Sequence, residues 1–332
     1  MIDKYTGTKS SSIIGCIVTI VLVVIMVIGL GHLTRPVGMD KSLNTIETFH
    51  NLPEDSVEVI AYGSSHTWLG VNPIEMYKSY GIGSYNYGAV WQRFNTTEVF
   101  LDDSLKTQSP KVVLIETFKV AELLENVDMN GEIWYAKSLP DSEVKQKYLK
   151  QVFGDDKERW LSLWVPLAAF HQNWTDLSSR SFMWNSDETD FYKTMGFREA
   201  DKATVVDIPD QSLVKQRGLK DSSIEILDHM VAMCKENDIE VVFFTVPYAG
   251  EYQYCDAMTE YAKQNGCVYI NLFDYVEEMG IDGATDFKDE GHLNTSGATK
   301  VANYLGAYLV ENYDLTDMRN VENNIWEQAL QR

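Results

Sequence analysis

Cysteine is scarce in this chain: four residues in 332, none in a Cys-x-x-Cys pair. That excludes a disulfide-built scaffold and leaves no sign of a zinc or dithiol redox site. Proline and glycine, at 8 and 21, are too few for a fibrous or low-complexity protein. Basic residues are also short, 28 Lys+Arg against 49 Asp+Glu, for a formal net charge of -21. Binding phosphates needs a basic face, so no nucleic-acid partner is expected. What is present is ordinary for a folded chain: 45% apolar and 23% charged residues, in a length that suits one large domain or two small ones.

Charge is missing altogether between Lys9 and Arg35. Residues 13–33 form an almost unbroken apolar run with no polar face. At about 1.5 Å per residue such a helix crosses the ~30 Å hydrocarbon core of a bilayer. A cleaved signal peptide would have an apolar region of about 7–15 residues and a small-x-small site. Here the run is longer, and His32, Thr34, Arg35 and Pro36 end it, so an uncleaved anchor is expected. Lys4 and Lys9 lie on one side, Arg35 and Lys41 on the other, a weak positive-inside bias. The expectation is a short cytoplasmic N-terminus (1–12), a transmembrane helix (13–33) and everything beyond it outside the cell. Asp3, Lys4 and Lys9 sum to +1, so residues 34–332 carry -22. Cys16 lies in the apolar run. Cys234, Cys255 and Cys267 lie beyond it and read as small buried hydrophobes.

After a linker (34–56), residues 57–313 alternate between β-rich runs and helical patterns. Val57–Tyr62 reads as a strand feeding the turn Gly63-Ser64-Ser65. Asn72-Pro73 opens a helix. Strands are expected at 84–87, 112–115, 241–246 and 268–272. Helices are expected at 94–105, from 221, at about 251–264, and after Asn294, whose side chain can cap it. A charged, Trp-rich insertion, about 119–220, interrupts the pattern with Trp134, Trp160, Trp164, Trp174 and Trp184. Residues 160–177 look helical, and the block is expected to pack over a sheet edge or over the site. A tail (314–332) follows. Alternating strands and helices imply an α/β fold, a three-layer α/β/α sandwich with a parallel sheet. The site of such a sheet sits in the loops after the strand carboxyl ends.

Those loops carry chemistry. Ser65 follows the first strand, and Asp289-Glu290-Gly291-His292 comes near the end of the domain. A serine nucleophile needs a base, and the base needs a carboxylate to hold its tautomer. Asp289 and His292 are three apart, about one helical turn. Ser…Asp…His is one of the chain orders in which this constellation occurs. Gly88, in Asn86-Tyr87-Gly88, and Ser65 could offer backbone N–H groups to an oxyanion. His66, Asn86, Tyr248 and Trp174 are candidate substrate contacts. Asp286 and Asp289 are not surrounded by a metal-ligand pattern.

These residues resemble the SGNH/GDSL hydrolases. Gly63-Ser64-Ser65 matches the family's Gly-Asp-Ser block, with Ser64 in place of Asp. Gly88 resembles the second block, and Asp289-Glu290-Gly291-His292 the last. The resemblance implies Ser65 as nucleophile, His292 as base, Asp289 as its orienter, a flavodoxin-like parallel sheet and no cofactor or metal. One block departs: the family's Gly-x-Asn-Asp supplies an oxyanion Asn, and here Glu116 or Thr117 stands in its place. A carboxylate there would oppose an oxyanion unless protonated, so Thr117 or a residue from elsewhere must serve as the donor. The chain is most similar to membrane-anchored members of the family, such as the D-alanyl transfer protein of teichoic-acid decoration and the alginate O-acetylation proteins. That similarity implies a bacterial envelope location. It also implies acyl transfer to, or removal from, a cell-surface polysaccharide beside a membrane-bound O-acyltransferase. The other reading is a catalytically silent accessory or glycan-binding partner of that acyltransferase.

Overall fold

The computed structural model describes residues 6–35, 37, 40–122, 129–183 and 190–332. Trp184, the first five residues and parts of the Trp-rich block (123–128, 184–189) lie outside them. The chain divides into two compact units, one from the described residues of 1–40 and 149–188, the other from those of 41–148 and 189–332.

The first unit is built on the helix Thr6–Leu33. Its stretch Ser12–Leu33 is 22 residues long and apolar, almost wholly exposed up to Leu30, and long enough to cross a membrane. Short helices from the Trp-rich block pack on its C-terminal end. The 160–177 stretch is not one helix. It breaks into Lys157–Trp164, Pro166–Phe170 and a 3-10 segment His171–Asp176. Pro166 explains the first break: it has no N–H to continue the earlier helix, and it occupies the first turn of the next.

The second unit holds a five-stranded sheet: β1 (Val59–Tyr62), β2 (Ser84–Asn86), β3 (Val112–Glu116), β4 (Glu240–Thr245) and β5 (Val268–Asn271). All pairs are parallel, in the order β2-β1-β3-β4-β5. This is the α/β architecture expected from the alternation. Val59, Ala61, Val112, Leu114, Val242 and Phe244 point to one face and join Val301, Ala302, Leu305 and Leu309 of the helix Thr295–Asn312 in one core. The alternate residues point the other way. There Tyr62 hydrogen-bonds Ser104 of the helix Phe94–Ser104, and Phe243 meets Tyr261 of the helix Cys255–Asn265 edge to face. Burial on both faces accounts for the continuous apolar runs in β3 and β4. Asn294 caps its helix by accepting from Gly297 N–H, and Asn72 caps Pro73–Tyr80 in the same way.

The strand order reverses direction between β1 and β3. The carboxyl ends of these two strands are the usual ligand position in open parallel sheets. A small antiparallel hairpin, β6 (Phe287–Asp289) and β7 (His292–Leu293), completes the unit.

Candidate active site

Ser65 is the first residue of a short helix, Ser65–Gly70, that begins directly after β1. Ser64 caps it, its hydroxyl accepting from His66 N–H at 3.3 Å. So the position where the resemblance leads one to expect Asp is used here to start the helix of Ser65. Gly63 makes the turn possible: its φ is +148°, and a side chain there would collide with Thr67 Oγ1 and Glu116.

Asp289 and His292 do not lie on a helix turn. They face each other across the β6–β7 hairpin, whose turn is closed by Gly291 N–H donating to Asp289 Oδ1 at 3.0 Å. Residues 198–206 brace this hairpin. Thr204 donates to the Phe287 and Lys288 carbonyls, Ala200 and Thr295 exchange hydrogen bonds, and Arg198 N–H reaches Trp68 O. The brace thus links the helix of Ser65 to the hairpin of His292.

The result is a continuous relay. Ser65 Oγ lies 2.8 Å from His292 Nε2, and His292 Nδ1 lies 2.7 Å from Asp289 Oδ1. The neutral imidazole that suits both contacts donates from Nδ1 to the carboxylate and accepts from the serine hydroxyl. Burial would raise the Asp289 carboxyl. The hydrogen bond and charge of His292, Lys288 beside it and the Gly291 N–H outweigh that and hold it below its usual value. Asp289 is therefore a carboxylate at neutral pH.

The remaining candidates fall in different places. His66 is buried beside the relay, its ring stacked on Phe118 at 3.7 Å and 5.5 Å from the His292 ring. Burial first, then the charges of His292 and Lys119, push its pKa well below the usual histidine value. Its Nδ1 is buried without a hydrogen-bond partner. Tyr248 packs edge-on against both His66 and Phe118, with its hydroxyl tied to Glu251 O. Asn86 is fully buried. Its amide donates to Thr67 O and Val71 O, both at 2.7 Å, while its Oδ1 accepts Gly88 N–H at 3.0 Å. The Gly88 N–H is thus already engaged. Thr117 is fully buried too, its hydroxyl shared among Phe244 O, Thr245 and Tyr252. Trp174 belongs to the first unit, not to the sheet-bearing one.

Two residues that sequence reasoning gave no role enter the site. Phe118 stacks on His66, and Lys119 sits over the rings of Phe118 (4.8 Å) and Trp91 (5.5 Å). Their signal was position: they come directly after β3, at the switch point. Glu116, at the end of β3, is buried, with one carboxyl oxygen accepting Phe118 N–H at 2.9 Å. Burial pushes its pKa up to about 8, against the pull of Phe118 N–H, Lys119 and Val246 N–H. At neutral pH it is mostly the uncharged acid, a donor rather than a negative charge.

No protein-family model matches this chain, and no curated protein matches it. Among solved structures, a "putative acylhydrolase" from Bacteroides fragilis is similar at a TM-score of 0.38 and 14% identity, over 80% of this chain and 93% of that one.

Asp286 is no cation ligand. Its carboxylate accepts from Lys300 (2.6 Å), Ser296 (2.7 Å) and Asp282 N–H (2.7 Å). Among the described residues no cluster of three or more His, Cys, Asp or Glu side chains is placed to hold a metal. The four cysteines are free thiols.

Proposed function

We propose that this chain is a membrane-anchored serine acyltransferase or esterase of the SGNH type, acting on O-acyl groups of a cell-surface polysaccharide. The observation that carries the reading is the Ser65–His292–Asp289 relay, with contacts of 2.8 and 2.7 Å. Ser65 Oγ attacks the acyl carbonyl carbon as its proton passes to His292 Nε2. The tetrahedral intermediate collapses, the ester C–O bond breaks, and the leaving alcohol takes that proton from His292. Water or a sugar hydroxyl then attacks the acyl-serine, His292 again accepting and returning one proton. Asp289 holds Nδ1–H and stabilises the imidazolium. The Ser65 N–H, first in its helix and so without an intrahelical acceptor, faces the developing oxyanion. This chemistry draws on no cofactor.

The glycan part of the proposal is supported by Trp91. It is 68% exposed, near the Phe118–Lys119 side of the site, and held at φ +59°, a left-handed backbone that a bulky residue rarely adopts. An exposed aromatic face with a cation beside it suits a sugar ring. The anchor is the helix Thr6–Leu33, with the catalytic unit on the extracellular side of a bacterial envelope and a membrane-bound O-acyltransferase as the donor partner.

A second reading keeps one observation on its side. The Gly88 N–H is spent on Asn86, and no Asn stands at the end of β3. An accessory that binds glycan without turning it over would show such a hole. Intact-mass analysis of the full chain after exposure to a small activated acetyl ester separates the two. An acetyl adduct or turnover that is lost in Ser65→Ala and in His292→Ala supports the enzyme. A folded wild-type chain that forms no adduct, alone or with its acyltransferase partner, sinks it.

A further inference from the structure

Beyond the helix Thr6–Leu33, six large apolar side chains among the described residues of the first unit are exposed: Leu161, Trp164, Trp174, Leu177, Phe182 and Met183. Trp164 is 84% exposed and Phe182 71%. Isolated exposed apolar residues need no explanation, but a group of this size marks an interaction surface.

The segment that carries them is tied at three places to the C-terminal end of the N-terminal helix. Pro166 and Leu167 press on Gly31, where an added methyl would meet Leu167 N at 3.0 Å. That fixes the end of the helix Lys157–Trp164, with Leu161 one turn back from Trp164. Asn173 Nδ2 donates to Thr34 O at 3.1 Å, which fixes Trp174 and brings Leu177 within a turn. The Met183 carbonyl accepts from Arg35 Nη2, at 2.6 Å, and lies 2.8 Å from His32 Nε2. Arg35 Nη1 also donates to Ser181 O at 3.0 Å. Phe182 and Met183 are thereby pinned beside residues 32–35. Residues 31–35 are where the membrane-length stretch Ser12–Leu33 ends.

Charge fits the same placement. Residues 149–183 hold four basic residues (Lys150, Lys157, Arg159, Arg180) and four acidic ones (Asp155, Asp156, Glu158, Asp176), a balance of zero in a chain of net -21. An anionic membrane surface would repel the acidic remainder but not this segment. Trp pairs an apolar ring with a polar N–H, which suits the boundary between acyl chains and water.

We propose that residues 157–183 form an interfacial collar: Trp164, Trp174 and Phe182 lie in the headgroup layer of the bilayer that the helix Thr6–Leu33 crosses. The occupant of the exposed face is lipid. The proposal rests on the membrane-anchor reading and extends it from one helix to a second, re-entering surface. The collar adds apolar area at the interface and restrains the tilt of the helix, because three separate contacts fix it to residues 31–35.

The test is depth-resolved quenching of tryptophan fluorescence. The full chain is reconstituted in vesicles of phosphatidylcholine and phosphatidylglycerol whose acyl chains are brominated near the carbonyl end. Wild type is compared with Trp164→Phe/Trp174→Phe. Both side chains are exposed, so the exchange leaves the packing intact, and circular dichroism checks this. Alkaline extraction of the same vesicles reports the anchor separately. The collar predicts a chain that resists extraction and a bromolipid quench reduced roughly twofold or more in the double variant. A chain that resists extraction but shows the same quench in both forms overturns the collar and leaves that face for a protein partner. A chain that extracts at alkaline pH overturns the anchor, and the collar with it.

Discussion

Glu116 lies directly against the backbone of Gly63: a methyl group on Gly63 would stand 2.8 Å from Glu116 Cβ. The turn that presents Ser65 and the buried acid at the end of β3 are therefore one packed unit.

Gly63→Ala should destabilise the sheet-bearing unit. The φ of +148° is strained for any residue with a Cβ, and the added methyl must displace Glu116 or Thr67. A loss of about 1–3 kcal/mol is expected in urea denaturation. It should come with a larger loss of turnover than Gly70→Ala, because Gly63 sets the approach to Ser65.

Glu116 makes stability depend on pH in a stated direction. Its pKa is raised by burial from 4.5 to about 8 in the folded chain, so between those values the folded state holds a proton that the unfolded state has lost. Stability then falls as pH rises through that window. Glu116→Gln, which keeps shape and donor, should flatten this fall and leave the chain more stable than wild type at alkaline pH. Thermal melts across the window check it. An unchanged slope in Glu116→Gln would mean that the acid is ionised in the folded chain.

The relay sets a hierarchy of catalytic losses. Ser65→Ala and His292→Ala should each abolish acetyl-enzyme formation. Asp289→Asn, which keeps the hairpin but offers the wrong hydrogen-bonding group to Nδ1, should lower kcat on the order of 10³-fold or more. Asp289 lies below its usual pKa through His292, Lys288 and Gly291, so activity should persist well into the acid range on the Asp289 side. A kcat for Asp289→Asn equal to wild type would remove Asp289 from the mechanism.

Asn86→Ala should cost stability rather than substrate affinity. It strands the Val71 carbonyl and the Gly88 N–H in a buried site and takes one of two donors from the Thr67 carbonyl, which keeps the Val71 N–H. Each unpaired group costs about 1–3 kcal/mol, so the variant should be among the least stable single substitutions in the unit. A rise in KM without a change in the denaturation midpoint would return Asn86 to the substrate.

Trp91→Ala gives the opposite signature. The side chain is exposed, so its loss should leave stability and turnover of a small acetyl ester unchanged. Only the KM for a polysaccharide substrate should rise. An equal effect on both substrates would count against a sugar platform.

Much of the fold was legible because two-sided burial writes itself into continuous runs such as Val112–Ile115 and Val241–Phe244, and because caps such as Asn72 and Asn294 act within three residues. The residue types of the relay were legible for a similar reason: Ser65 follows a strand, and Asp289 and His292 are close in the chain. Other features were not. The partners of Asn86 are two backbone carbonyls, which no side-chain pattern announces. The committed hydroxyl of Thr117 depends on Tyr252, 135 positions away. The uncharged state of Glu116 follows from burial that only the packed sheet creates. The break at Pro166 was readable, but the aromatic residues on either side of it imitate a single helical face.

Ser65 and His292, whose side chains meet, are 227 positions apart. At about 5–20 residues per second, the ribosome makes Ser65 roughly 10–50 s before His292 exists. Through that interval the Ser65 hydroxyl has no imidazole to meet, and the Gly63 turn has no hairpin opposite it. The contact between the two side chains can form only once the hairpin has been made, a timing set by the order of elements along the chain.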